Sequence, residues 1–161
     1  QKSHALACLT DFYATMRDIT QQPAKDNGGE DSISLVPALE GKPKTSREYL
    51  VSHSINGSFA IRQGKWKLCV CPGSGGWSTP RPKTAWNDKN LHPVQLFDLE
   101  SDPSEKNNLA EKNKEKVKSL MTLLSTAIKN GRSTPGKPQK NDGAVPAFNQ
   151  RITDAYPALT E

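Results

Sequence analysis

Apolar positions along the chain fall into two helical stripes and one stretch of alternation. Between Leu9 and Thr20, Phe12, Met16 and Ile19 recur at i, i+4, i+7 with Leu9 and Tyr13 beside them, the spacing of an amphipathic helix. Thr10 stands where an N-cap is expected, and Asp11 suits the positive end of the helix. Gln21 to Ser32 is polar and carries Pro23, Gly28 and Gly29, so it reads as a loop. A short helical turn is predicted over Leu35 to Leu39, with Gly41 as its stop.

The middle of the chain changes to a period of two. Tyr49 to Ser54 is a candidate strand, Asn56-Gly57 a turn, and Ser58 to Arg62 a second strand with Phe59 and Ile61 on one face. Gln63-Gly64 is the next turn. Lys65 to Cys71 then sets Trp66, Leu68 and Val70 against Lys65, Lys67, Cys69 and Cys71. Pro72 to Pro93 is long, rich in Gly and Pro, and holds Trp77 and Trp86; loops of this length are usually functional or disordered. Val94 to Leu99 is a fourth strand with Val94, Leu96 and Asp98 on one face. The second helical stripe follows over Lys112 to Asn130, with Val117, Leu120, Leu124 and Ile128 at helical spacing and Gly131 as the stop. Ser133 to Glu161 lacks the apolar content to fold alone and is expected to be mostly irregular. The predicted class is α+β: a small antiparallel sheet of about four strands packed against the later helix, preceded by a helix from a different layer.

Composition narrows the function classes. Hydrophobic residues make up 34% of the 161, below the usual share of nearly one half, so a small core with long connections is expected, or a piece that leans on a larger surface. The net charge is +5, but the 22 basic residues are dispersed among 17 acids rather than gathered on one face among aromatics, which argues against nucleic-acid binding. No apolar run reaches the ~18–20 residues of a membrane helix, and no leader pattern follows Gln1. The three cysteines, Cys8, Cys69 and Cys71, have neither disulfide-compatible nor zinc-ligand spacing and read as ordinary thiols.

Four blocks, taken in order, resemble one family. Phe59-Ala60-Ile61-Arg62-Gln63-Gly64-Lys65-Trp66-Lys67-Leu68 is similar to the strand–turn–strand of sulfatase C-terminal subdomains. Leu96-Phe97-Asp98-Leu99, with Asp102-Pro103, Glu105 and Asn108-Leu109, resembles the sulfatase signature that follows it. Leu9 to Ile19 and Gly29 to Gly41 resemble the two preceding blocks, so the likeness covers about residues 5–143. It implies that residues 1–45 are the tail end of the main alkaline-phosphatase-like domain, 46–132 the C-terminal subdomain, and 133–161 an irregular tail. It also implies a parent of the arylsulfatase type, periplasmic or secreted, that hydrolyses a sulfate ester of a small molecule or glycan using formylglycine and calcium.

The nucleophile motif, C/S-x-P-S/A-R before a helix, is expected in an N-terminal domain outside this chain. Ser78-Thr79-Pro80-Arg81-Pro82 sets Arg one position early, and Ser133-Thr134-Pro135-Gly136-Lys137 has Lys in its place; neither is expected to precede a helix. Asp26-Asn27-Gly28 and Asn141-Asp142 imitate the metal-binding Asp-Asn pair but read as turns. The chain alone is therefore expected to hold no catalytic residue, metal or cofactor and to be inactive without the main domain. Substrate contacts are expected from His53, Ser54 and Asn56, a titratable ring, a hydroxyl and an amide at one turn that the resemblance sets facing the cleft, and from Trp77 and Lys83 on the long loop. The alternative is a stand-alone carbohydrate- or protein-binding β module using Trp77 and Trp86.

Overall fold

The computed structural model describes residues 3–42, 47–143 and 148–157. The elements in order are α1 (Asp11–Ile19), α2 (Val36–Leu39), β1 (Leu50–His53), β2 (Phe59–Gln63), β3 (Trp66–Cys69), α3 (Pro82–Asn87), β4 (Gln95–Asp98), α4 (Lys114–Lys129) and α5 (Gln150–Ala155). The architecture is α+β, as the patterning predicts. The backbone gathers into two compact units, residues 1–50 with 126–145 and residues 51–125 with 146–161. The predicted boundary between residues 45 and 46 lies outside the described residues.

The second unit is built on an antiparallel meander in the order β1-β2-β3-β4. Its register sets Ile61 opposite Leu68, and Leu68 opposite Leu96. These three, with Val94, are fully buried, as are Val117, Leu120, Met121 and Leu124 along one face of α4. Those two apolar surfaces form the core, with Lys116 Nζ reaching Gln63 Oε1 at 3.1 Å beside it. The outer edge of β4 is not left open. Asn108 Oδ1 accepts from Leu96 N, Leu109 N donates to Leu96 O, and Asn108 Nδ2 donates to Val94 O. This covers the unpaired ladder groups that an edge strand otherwise exposes; Phe97, on the opposite face from Leu96, is also buried.

Several expectations need correction. Gln63 belongs to β2 and pairs with Trp66, so the turn is Gly64-Lys65, with Gly64 at φ +57°. Strand β3 ends at Cys69, so the alternation does not carry on to Cys71, which is buried rather than on the open face. The long loop contains α3, started by Pro82 at its first turn, where a missing N–H costs nothing. The tail contains α5, whose Asn149 side chain accepts from Arg151 N at 3.0 Å as a true N-cap.

In the first unit, α1 presents its apolar stripe to solvent, in keeping with a helix from a different layer. Its buried residues are Asp11, Ala14 and Thr15, while Phe12, Tyr13, Met16 and Ile19 are each about half exposed or more. Thr10 is not a side-chain cap: its backbone is already helical, and Oγ1 donates to Asp31 O at 3.1 Å. Polar bonds hold the inner face. Thr15 Oγ1 donates to Asp11 O and accepts from Leu35 N; Ser32 Oγ donates to Thr10 O and accepts from Ala14 N. Asp11, fully buried, accepts from Cys8 N at 2.8 Å, from Ile33 N at 3.0 Å and from the Arg47 guanidinium. After α4, Ser133 donates through N and Oγ to Asp31 Oδ1, and Arg132 pairs with Asp26.

Candidate functional site

The sequence-predicted site residues lie at the β1–β2 turn and on the long loop. Ser54 N donates to Ser58 O at 2.9 Å, and Gly57 N donates to Ser54 O at 3.0 Å, closing the turn; Gly57 has φ +80°, which suits glycine. Ser54 Oγ donates to Asn56 Oδ1 and accepts from Ser58 N, while Ser58 Oγ also donates to Asn56 Oδ1 at 3.0 Å. Ser54 Oγ and Asn56 Oδ1 are thus occupied by the turn itself. His53, exposed at the end of β1, sets its ring edge-on to Phe59 at 6.5 Å, with Nδ1 3.0 Å from Ser54 O.

The long loop folds back over this turn. Gly75, at φ +61°, sits so close that a Cβ there would meet Cys71 Sγ at 2.9 Å and Ser54 Oγ at 3.6 Å. Two residues on, Trp77 is 83% exposed. Lys83 is exposed on α3. Burial pushes the Cys69 thiol up to about 11 and raises Cys71 as well, so neither is a poised nucleophile.

Residues of the tail complete a pocket that the sequence reading missed. Phe148, Asn149 and Ile152 join Asn56, Ser58 and Trp86 around about 160 Å³. Arg151 holds the walls together, donating to Trp86 O at 2.9 Å, Asp88 O at 3.2 Å and Leu91 O at 2.6 Å. The legible signal was local: Asn149 followed by Gln150-Arg151-Ile152 is a capped helix start, in a segment too polar overall to suggest one. The outward stripe of α1 borders a separate open groove of about 580 Å³, lined by Phe12, Tyr13, Met16, Arg17 and Lys25 among others.

Two motif imitations keep their local roles. Gly28 N donates to Lys25 O and Asp26 pairs with Arg132, so Asp26-Asn27-Gly28 is a turn; Asn141 Nδ2 donates to Ile128 O at the end of α4. Neither pair is arranged to hold a cation. Ser78 to Arg81 does lead into a helix, against expectation, because α3 begins at Pro82; the arginine still falls one position early for a formylglycine motif.

No family model matches the chain. Among curated proteins it is 37% identical over 128 residues to an N-acetylgalactosamine-6-O-sulfatase of Bacteroides thetaiotaomicron, covering 78% of this chain and 24% of that protein. It is 35% identical over 132 residues to a choline-sulfatase of Rhizobium meliloti, covering 80% and 22%. Among solved structures, a 6S-sulf protein from the glycosaminoglycan metabolism of Bacteroides thetaiotaomicron superposes with TM-score 0.57 and 36% identity, covering 73% of this chain and 24% of that one. A 2-O glycosaminoglycan sulfatase shares the fold at TM-score 0.51 and 22% identity, covering 84% and 31%. The chain belongs to the sulfatase family and corresponds to its C-terminal region. It spans about a quarter of the length of the curated relatives it matches.

Proposed function

We propose that the chain acts as the C-terminal part of a larger sulfatase, where it forms a rim of the substrate pocket and buries an edge of the main domain. The observation that carries this reading is the outward apolar stripe of α1. A helix that turns Asp11, Ala14 and Thr15 inward and Phe12, Tyr13, Met16 and Ile19 outward satisfies its polar groups within its own unit and reserves its apolar stripe. A contiguous apolar patch of this kind marks a partner surface. The occupant proposed is the remainder of the parent sulfatase, since the matched relatives are about four times longer than the matched region. The nucleophile and the divalent cation, formylglycine and calcium in the family, would belong to that remainder.

The substrate class proposed is a sulfated glycan, supported by the names of the relatives that are 37% and 36% identical. His53, Ser54, Asn56, Trp77 and Lys83 are proposed to face it. His53 offers an exposed imidazole at the end of β1, able to hydrogen-bond a sugar or sulfate oxygen. Lys83 offers a cation, and Trp77 a stacking face.

The test joins the chain to a sulfatase main domain that carries the nucleophile motif. The joined protein should release sulfate from N-acetylgalactosamine 6-sulfate, while the 161-residue chain alone should not hydrolyse 4-nitrophenyl sulfate even with calcium. His53→Ala in the joined enzyme should lower kcat/KM with little change in Tm. Turnover by the chain alone, or a joined enzyme that works equally well with Phe12 and Met16 replaced by lysine, would overturn the reading.

A further inference from the structure

The pocket bordered by the tail has the size and chemistry of a small recognition site. Its volume of about 160 Å³ corresponds to roughly five waters at ~30 Å³ each. That is below the ~300–1,000 Å³ of a cleft for drug-sized ligands, and it suits one sugar ring rather than several.

The lining is equally specific. Trp86 and Phe148 provide aromatic surface, which matches the apolar C–H face of a pyranose. The amides of Asn56 and Asn149 are oriented by the bonds their oxygens accept, from Ser54 and Ser58 in one case and from Arg151 N in the other. Their NH2 groups have no hydrogen-bond partner among the described residues, and so remain as donors for ring hydroxyls. Among the described residues that line the cavity, none is charged. A sulfate or carboxylate entering it would lose water without gaining a cation. The Arg151 bonds to three carbonyls tie α5 to the end of α3, so the walls are preformed and little ordering is needed on binding.

We infer that this pocket is a subsite for one uncharged pyranose residue of a glycan, separate from the sugar that carries the ester. The inference rests on the proposed sulfated-glycan substrate but concerns binding alone, so it is tested without turnover. The whole 161-residue chain, labelled with ¹⁵N, is titrated with lactose and with N,N′-diacetylchitobiose, and separately with N-acetylgalactosamine 6-sulfate.

A neutral disaccharide should shift the Trp86 indole and the Asn56 and Asn149 side-chain amides at millimolar concentration, leaving the Trp77 indole in place. Trp86→Leu should weaken binding about tenfold, the loss of one stacking face. Asn149→Ser, which keeps an oxygen to cap Arg151 N and removes the NH2 donor, should weaken it several-fold. Shifts confined to Trp77, preference for the sulfated sugar at this pocket, or no response to either disaccharide would overturn the inference. Failure here with a joined enzyme that still hydrolyses sulfated glycans would remove the subsite and leave the sulfatase reading standing. Binding here with an inactive joined enzyme would do the reverse.

Discussion

Asp11→Ala should be among the most damaging single substitutions in this chain. The Asp11 side chain is 0% exposed and its partner Arg47 is 2% exposed, so the ion pair is shielded from water. The substitution leaves the Arg47 guanidinium, among the described residues, with the Asp31 carbonyl at 3.0 Å, and strips the acceptor from the N–H groups of Cys8 and Ile33. Breaking one side of a buried pair costs about 3–5 kcal/mol. An orphaned buried donor costs about 1–3 kcal/mol. The two figures overlap, because one carboxylate serves all the partners, and about 4 kcal/mol is the expected loss. That is a large part of the ~5–15 kcal/mol that holds an ordinary domain.

The assay is urea unfolding followed by circular dichroism, with hydrogen exchange at the α1 amides to localise the effect. Arg47→Met in the Asp11→Ala background should recover part of the loss, because it removes the stranded charge and leaves an apolar stem in its place. A loss below about 1 kcal/mol, or a double variant destabilised by the full sum of the singles, would refute the reasoning, since either would mean that the pair is not coupled.

Further outcomes follow from other contacts. Arg151→Met should loosen the segment from Trp86 to Leu91 and α5, cost about 1.5–3 kcal/mol for charge-assisted bonds, and speed hydrogen exchange there while sparing β2 and β3. With its pKa at about 11, Cys69 is roughly one part in a thousand thiolate at pH 8, so a thiol reagent should reach Cys69 and Cys71 only after unfolding. Asp98 is held below the usual carboxylate range first by the Lys65 ammonium at 2.8 Å, and Asp102 first by the backbone N–H of Asn107. A depressed folded-state pKa gives stability that is full above the ordinary carboxylate range and lost as pH falls through the folded value. Tm should therefore decline in acid below about pH 4, and Asp98→Asn should flatten that decline.

How far the sequence reaches depends on the range of the forces involved. The meander and α4 are legible because period-two and period-3.6 patterns record which face meets the core: Ile61, Leu68 and Leu96 inward on the strands, Val117, Leu120 and Leu124 inward on the helix. The family is legible for the same reason, since its motifs sit on those strands and turns. The site is only partly so. Asn56-Gly57 announces a turn, but only the folded backbone decides that Ser54 Oγ and Asn56 Oδ1 bond to each other, and that Phe148 and Asn149 stand with Trp86, more than sixty positions away in the chain.

The first helix shows the limit most plainly. Its apolar stripe is correctly read from Phe12, Met16 and Ile19, yet periodicity says only that one face is apolar, not what covers it. Tertiary structure turns that stripe outward, because the Asp11–Arg47 pair and the hydroxyls of Thr15 and Ser32 satisfy the opposite face. A buried ion pair between residues 36 positions apart leaves no local pattern to read. It is a property of the folded chain, where the surrounding protein excludes the water that would otherwise separate the charges.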